Sequence, residues 1–278
     1  MERGDVEARP SAPTRVGPFL VAGGLHDTSV LVGLDEHHRA VVLRPLGVPL
    51  GDATRARIEL LAKAKPTGLV PVVASDLEGP EPWVATELVA GVDLLAAAAA
   101  VGPLSPVLVS GVATAVAEVL AHLHKAGLTH GSLHPSALLL TTDGPVVASL
   151  GASSATGDAA DDVRAWAELV CCAVGADARP TGTGLDVPGL DLDLARLIRD
   201  ALSSDPAARP SVSGLLKTLL GGFVPPNPTP MVRSVVQRTW LLPSPLVALT
   251  RPQRAPKAPL VAAPPERGSR RRGLFRRR

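Results

Sequence analysis

The 278-residue chain reads as an α+β protein in two lobes, a small strand-rich lobe followed by a helical one. Three observations point there. Residues 16–88 consist of short β-branched runs and turn signals around one helical segment. After Gly91 the apolar residues recur instead at helical spacing. Hydrophobic residues make up 46% of the chain, enough for a sizeable core.

In chain order, residues 1–15 are polar and charged and are expected to form a disordered leader without the apolar centre of a signal peptide. Residues 39–44 (Arg-Ala-Val-Val-Leu-Arg) predict a strand. Residues 53–65 predict a helix through Ile58, Leu61 and Ala62, stopped by Pro66 and Gly68. Two strands follow, 69–75 and 83–88, around the turn-forming Glu78-Gly79-Pro80-Glu81-Pro82. In residues 105–125, Val109, Val112, Val116, Leu120 and Leu123 fall on one helical face, with Gly127 suited to a left-handed cap. Short strands at 138–140 and 146–149 flank Thr142-Asp143-Gly144, and helices are expected at 162–174, 193–202 and 211–220. No internal repeat is visible. The boundaries drawn are a leader 1–15, a first lobe 16–88, a second lobe 89–222 and a tail 223–278.

The tail is rich in Pro and Arg and is expected to be extended or disordered, because it offers little apolar surface to offset its ordering entropy. Charge marks it as a separate part. The chain carries 28 Lys and Arg against 26 Asp and Glu. Residues 227–278 hold twelve of those bases and a single acid, Glu266, which leaves an acidic body. Three Trp, three Phe and no Tyr provide almost no stacking platform for single-stranded nucleic acid. Cys171 and Cys172 are adjacent in an apolar run, which suits a reducing compartment and a packing role. No uninterrupted run of about 20 apolar residues occurs, so no membrane-spanning helix is expected. The expected location is cytoplasmic, peripheral at a membrane if the tail binds one.

The segment His130-Gly131-Ser132-Leu133-His134-Pro135-Ser136-Ala137, followed by three leucines, is the most informative stretch. It resembles the catalytic loop of actinobacterial-type Ser/Thr protein kinases, His-Arg-Asp-Leu-Lys-Pro-Ser-Asn. Four further motifs share the resemblance, in order. Val16-Gly17-Pro18-Phe19 is similar to the first strand. The run from Pro82 to Gly91 is similar to the strand and hinge between lobes, with Thr86 as gatekeeper. Asp162-Val163-Arg164-Ala165-Trp166 resembles the start of the central helix. Asp205-Pro206-Ala207-Ala208-Arg209-Pro210 resembles the closing motif. The resemblance covers residues 15–220 and implies a protein kinase-like bilobal fold with a shortened activation segment and a disordered tail. It gives His130, Asp162 and Arg209 architectural roles.

The same resemblance locates losses. Phosphoryl transfer needs metal ions, a lysine on the phosphates, a glycine-rich cover and a carboxylate to orient the attacking hydroxyl. The carboxylate position is Ser132, the loop lysine is His134, the metal-binding asparagine is Ala137, and Ser149-Leu150-Gly151 stands for Asp-Phe-Gly. Gly23-Gly24-Leu25-His26 does not restore Gly-x-Gly-x-x-Gly, and the strand lysine corresponds to Arg44, a planar head not equivalent to an ammonium. On the helix, Glu59 is the nearby acid but the register favours Arg57. Ten residues, 152–161, remain where an activation segment would lie, so Arg209 is expected to lack its glutamate partner.

The histidines 122, 124, 130 and 134 fall within 13 positions. They read as structural rather than as a zinc site, since no cysteine accompanies them. Ser132 beside two histidines lacks the strand–turn–helix context of a hydrolase elbow. The tail arginines Arg270, Arg271, Arg272, Arg276, Arg277 and Arg278 surround Leu274 and Phe275 and have three readings. They form a solvated charge run, an attachment to an anionic membrane surface, or a contact with nucleic acid or an acidic protein. The resemblance with its losses implies a catalytically inactive pseudokinase serving protein partners as a binding, scaffolding or regulatory module, without Mg²⁺ or another cofactor. The alternative is a divergent kinase or nucleotide-binding enzyme holding ATP through Arg44, Thr86, Glu87 and Val89.

Overall fold

In the structure, a computed structural model, residues 14–24, 30–46, 50–148, 158–175, 190–222, 232–233 and 235–236 are described. The β-branched runs of the first lobe pair into an antiparallel sheet. Its strands are β1 (Arg15–Val16), β2 (Phe19–Gly24), β3 (Leu31–Leu34), β4 (Ala40–Pro45), β5 (Val72–Asp76) and β6 (Trp83–Glu87), in spatial order β1-β2-β3-β4-β6-β5. Side chains alternate across it. Val41 and Leu43 of β4 join Phe19, Trp83 and Ala85 in one apolar cluster, with Phe19 and Trp83 edge to face at 5.7 Å. The opposite face carries Val84, which clusters with Val72, Leu46, Leu50 and Leu77.

Helix α1 (Asp52–Ala64) covers that second face. It ends where Lys65 turns left-handed (φ 41°) before Pro66. Ile58 enters the first-lobe cluster, whereas Leu61, nearly one turn on, enters the core of the second lobe. One helix face thus touches both lobes.

The second lobe contains β7 (Val92–Asp93), α2 (Leu94–Val101), α3 (Pro106–Lys125), β8 (Leu138–Thr141), β9 (Gly144–Val147), α4 (Ala159–Val174), α5 (Leu192–Ala201) and α6 (Val212–Gly222). Strands β7, β8 and β9 form a small antiparallel sheet. Gly91 lets the connecting chain reach this sheet, since a Cβ there would lie 2.9 Å from the Leu140 carbonyl oxygen.

Among the described residues, α3 is long and apolar enough to cross a bilayer, with a mean hydropathy of 1.6. Its apolar positions meet protein instead: Val109, Val112, Ala113, Leu120 and Leu123 are fully buried against a core shared with α4, α5 and α6. Trp166 of α4 fixes the crossing by donating its indole N–H to the Ala113 carbonyl at 2.8 Å. Truncating this buried indole would cost about 3–5 kcal/mol.

Several local expectations shift. The strand expected from residue 69 begins at Val72, and Leu69 instead forms an isolated parallel bridge to Val147, joining the lobes. α2 is an additional helix, built from Leu-Leu and an alanine run and started by the Asp93 carboxylate accepting the Ala96 amide. α4 begins earlier than expected because Asp158 and Asp161 form a capping box ahead of Asp162.

Residues 223–278 are expected to be largely extended or disordered, and within them Val232, Val235 and Val236 are helical and buried in the second-lobe core. Their i, i+3, i+4 spacing gives a short apolar face. Arg233 beside it donates to the Thr142 carbonyl at 3.3 Å. The leader before Thr14, Ser149 and the terminal arginines lie outside the described residues.

Candidate functional site

The loop that follows α3 is organised around Asp162, on the first turns of α4 and almost wholly buried. Its carboxylate accepts three hydrogen bonds: from the His124 ring Nε2 at 2.9 Å, the His130 amide at 2.7 Å and the Gly131 amide at 2.8 Å. Burial works to raise this carboxyl, but the bonds from His124, Gly131 and His130 outweigh it and hold it below its ordinary value. Gly131 has φ +71°, a conformation that glycine adopts without penalty.

His130 is fully buried. Its Nε2 donates to the Ala148 carbonyl at 3.2 Å and its Nδ1 accepts the Ser132 amide at 3.4 Å, which defines a neutral ring. Burial drives the imidazole down to about 4, against the pull of the Asp162 charge and the Ala148 carbonyl. His122, His124 and His130 thus have local partners, with His122 on the Glu118 carbonyl through Nδ1. Among the described residues no three His, Cys, Asp or Glu converge as metal ligands.

The loop's remaining positions follow from its fold. Pro135–Ala137 form one turn of 3-10 helix, closed by the Ala137 amide on the His134 carbonyl at 2.8 Å. The Ala137 carbonyl accepts the Ala148 amide at 2.7 Å, and its methyl is fully buried. Ser132 is half-buried and His134 is open to solvent. His134 is held below its ordinary value by partial desolvation and by the Arg44 charge, against the opposite pull of Asp93.

Arg44 lies on β4 opposite Val84, and Thr86 lies opposite Val42. Strand alternation therefore puts Arg44 and Thr86 on the face that α1 covers, and Arg44 within electrostatic reach of His134 across the cleft. Burial lowers the Arg44 guanidinium. Glu87, opposite Val41, falls on the other face and is exposed, while Val89 is half-buried in the connection. The four positions assigned to a nucleotide thus divide, with Arg44 and Thr86 on the same face and Glu87 on the opposite one.

Arg209 pairs with an acid other than the glutamate of the family pattern. Its guanidinium donates to the Asp161 carboxylate at 3.0 Å, the Ala160 carbonyl at 3.0 Å and the Ser203 carbonyl at 3.0 Å. The acid comes from the capping box of α4.

Arg57 is the residue whose role sequence reading missed. It is buried on α1 and donates through Nη2 to the carbonyls of Thr129 and His130. Burial lowers its guanidinium and the Asp162 charge opposes that. Glu59 is exposed. A signal was present, because Arg57 stands four residues before the core residue Leu61 and shares its helix face.

Sequence similarity joins this geometry at the level of kinases. The chain is 30% identical over 151 residues to the serine/threonine-protein kinase AfsK of Streptomyces coelicolor, covering 51% of this chain and 19% of that protein. It is 25% identical to the probable serine/threonine-protein kinase PkwA of Thermomonospora curvata, covering 94% of this chain and 41% of that one. The chain therefore spans less than half the length of these curated relatives. Its structure is similar to that of Rad53 1-466 in complex with AMP-PNP, with a TM-score of 0.61 and 16% identity over 72% of this chain and 64% of that one. No protein-family model matches the chain.

Proposed function

From a chain that is kinase-like in sequence and has the bilobal α+β fold of a protein kinase, we propose a catalytically inactive module, a pseudokinase that acts by binding. One observation carries this reading. The catalytic loop is held in order by Asp162, His130 and Arg57, yet it presents Ser132, His134 and Ala137 where chemistry would need a carboxylate, a lysine and a metal ligand. A serine hydroxyl does not accept a proton at neutral pH, and Mg²⁺ takes oxygen ligands. The buried Ala137 methyl has none. These residues do not fit the metal, and no transfer step is assigned to them.

The test is a phosphotransfer assay on the full chain with labelled ATP, Mg²⁺ and a general protein acceptor. The expected result is no transfer above the protein-free blank. Mg²⁺-dependent transfer that disappears in Ser132→Ala would overturn the reading.

A second reading, retained nucleotide binding without metal, is favoured by Arg44 and Thr86 sharing the cleft face of the sheet. Thermal-shift titration with ATP separates the cases. A shift insensitive to EDTA supports it, a shift that needs Mg²⁺ restores the enzyme reading, and no shift at millimolar ATP leaves a scaffold alone. The basic tail adds an electrostatic arm for an anionic surface or partner, and its binding should weaken as salt rises. Anionic vesicles and DNA compared at one salt concentration distinguish its target.

A further inference from the structure

We propose that Arg57 is a positioning residue that locks helix α1 of the first lobe to the catalytic loop of the second, replacing an arginine the loop itself lacks. The kinase pattern has Arg at position 131 and this chain has glycine. A Cβ built at Gly131 would lie 3.7–4.0 Å from the Arg57 guanidinium. The positive group therefore stands beside the loop, supplied from α1 instead of from the loop.

The contacts show what the lock holds. Arg57 accepts nothing and donates to the carbonyl oxygens of Thr129 and His130. The amides of the same two peptide groups, those of His130 and Gly131, donate to the Asp162 carboxylate. Two consecutive peptide dipoles thus lie between a cation from the first lobe and an anion from the second. Each carbonyl points to the positive end and each N–H to the negative end. Paired amides converging on one anion form a small anion nest, which the left-handed Gly131 permits. The Arg57 Nε is buried without an acceptor, so Nη2, which reaches both carbonyls, does the holding.

This arrangement ties α1 to the loop through protein groups on both sides. Leu61 adds an apolar contact to the same lobe junction, but it does not touch the loop polar groups through any hydrogen bond. Arg55, on the same helix, pairs with Asp52 and Glu78 inside the first lobe and provides a control.

Hydrogen exchange on the full chain tests the lock. In Arg57→Ala, amides of α1 and of residues 129–131 should both exchange at least about tenfold faster, the weight of one charge-assisted hydrogen bond. Protection in the middle of α3 and α4 should be unchanged, and Arg55→Ala should leave residues 129–131 as in the native chain. Arg57→Lys, which keeps the cation on a shorter and more flexible head, should fall between. Faster exchange in α1 with residues 129–131 unaffected would reduce Arg57 to a first-lobe core residue and overturn the proposal. If Arg57→Ala does not fold, the native chain decides: α1 and residues 129–131 should open together with the same denaturant dependence. Separate openings would overturn the lock.

Discussion

Arg57 and Asp162 bracket the same two peptide groups, one taking the carbonyl oxygens and the other the amide hydrogens. They come from different lobes and lie far apart in sequence. The backbone between Thr129 and Gly131 is therefore ordered from both sides by charge.

Removing the negative side should be costly. Asp162→Ala leaves the His130 and Gly131 amides and the His124 ring without their acceptor, the first buried and the other two half-buried. A loss of about 3–5 kcal/mol is expected, as for breaking a buried charge network. Urea unfolding of the variant and the native chain measures it, and a loss under about 1 kcal/mol would contradict the hub role.

Stability should fall on mild acidification. His130 stays neutral in the fold until about pH 4, whereas an unfolded histidine takes up its proton near 6.5. The unfolded state therefore binds more protons between these values, and stability is full above about pH 6.5 and declines toward pH 4. The slope is at most about 1.4 kcal/mol per pH unit, on the order of 3 kcal/mol in all. Asp162, held low in the fold, continues the loss below about pH 4. Melting curves from pH 7.5 to 4.5 should be flatter in His130→Gln.

Arg209 and Asp161 should contribute unequally. The arginine side chain is almost wholly buried and also holds two carbonyls, whereas Asp161 is largely exposed. Arg209→Ala should cost about 2–3 kcal/mol and Asp161→Asn about 1 kcal/mol or less. A double-mutant cycle by chemical denaturation checks whether their coupling stays near the smaller figure.

Restoring a metal-ligand side chain should not restore a metal site. Ala137 is fully buried in its 3-10 turn, so Ala137→Asn forces an amide into a filled position. The expected outcome is a loss of about 1–3 kcal/mol with no Mg²⁺-dependent rise in melting temperature. A clear Mg²⁺ stabilisation of this variant would show that the loop geometry still favours metal.

The tail should divide functionally at about residue 237. Val232, Val235 and Val236 are buried in the second-lobe core, so truncation after Gly222 should destabilise the chain by about 2–4 kcal/mol. Truncation after Val236 should leave thermal stability unchanged while removing salt-sensitive binding to anionic vesicles or DNA. Equal melting temperatures for the two truncations would contradict the docking.

By itself the sequence determined the order of lobes, the long apolar helix α3 and the identity of the loop 130–140, because these rest on local periodicity and contiguous motifs. That Ser132, His134 and Ala137 carry neither carboxylate nor carboxamide is equally legible, since side-chain composition does not depend on the fold. Only the tertiary structure decided which charges meet. The distances from Arg57 to Thr129, Arg209 to Asp161 and Arg233 to Thr142 span many residues of chain, and no local pattern encodes such a meeting. A buried arginine looks like a surface arginine in sequence until the opposite lobe covers it. The docked Val232-to-Val236 face was similarly hidden, because three valines in a Pro- and Arg-rich stretch become helical and stable only against a partner surface. The loop's composition thus speaks to its chemistry, while its rigidity depends on charges delivered from α1 and α4.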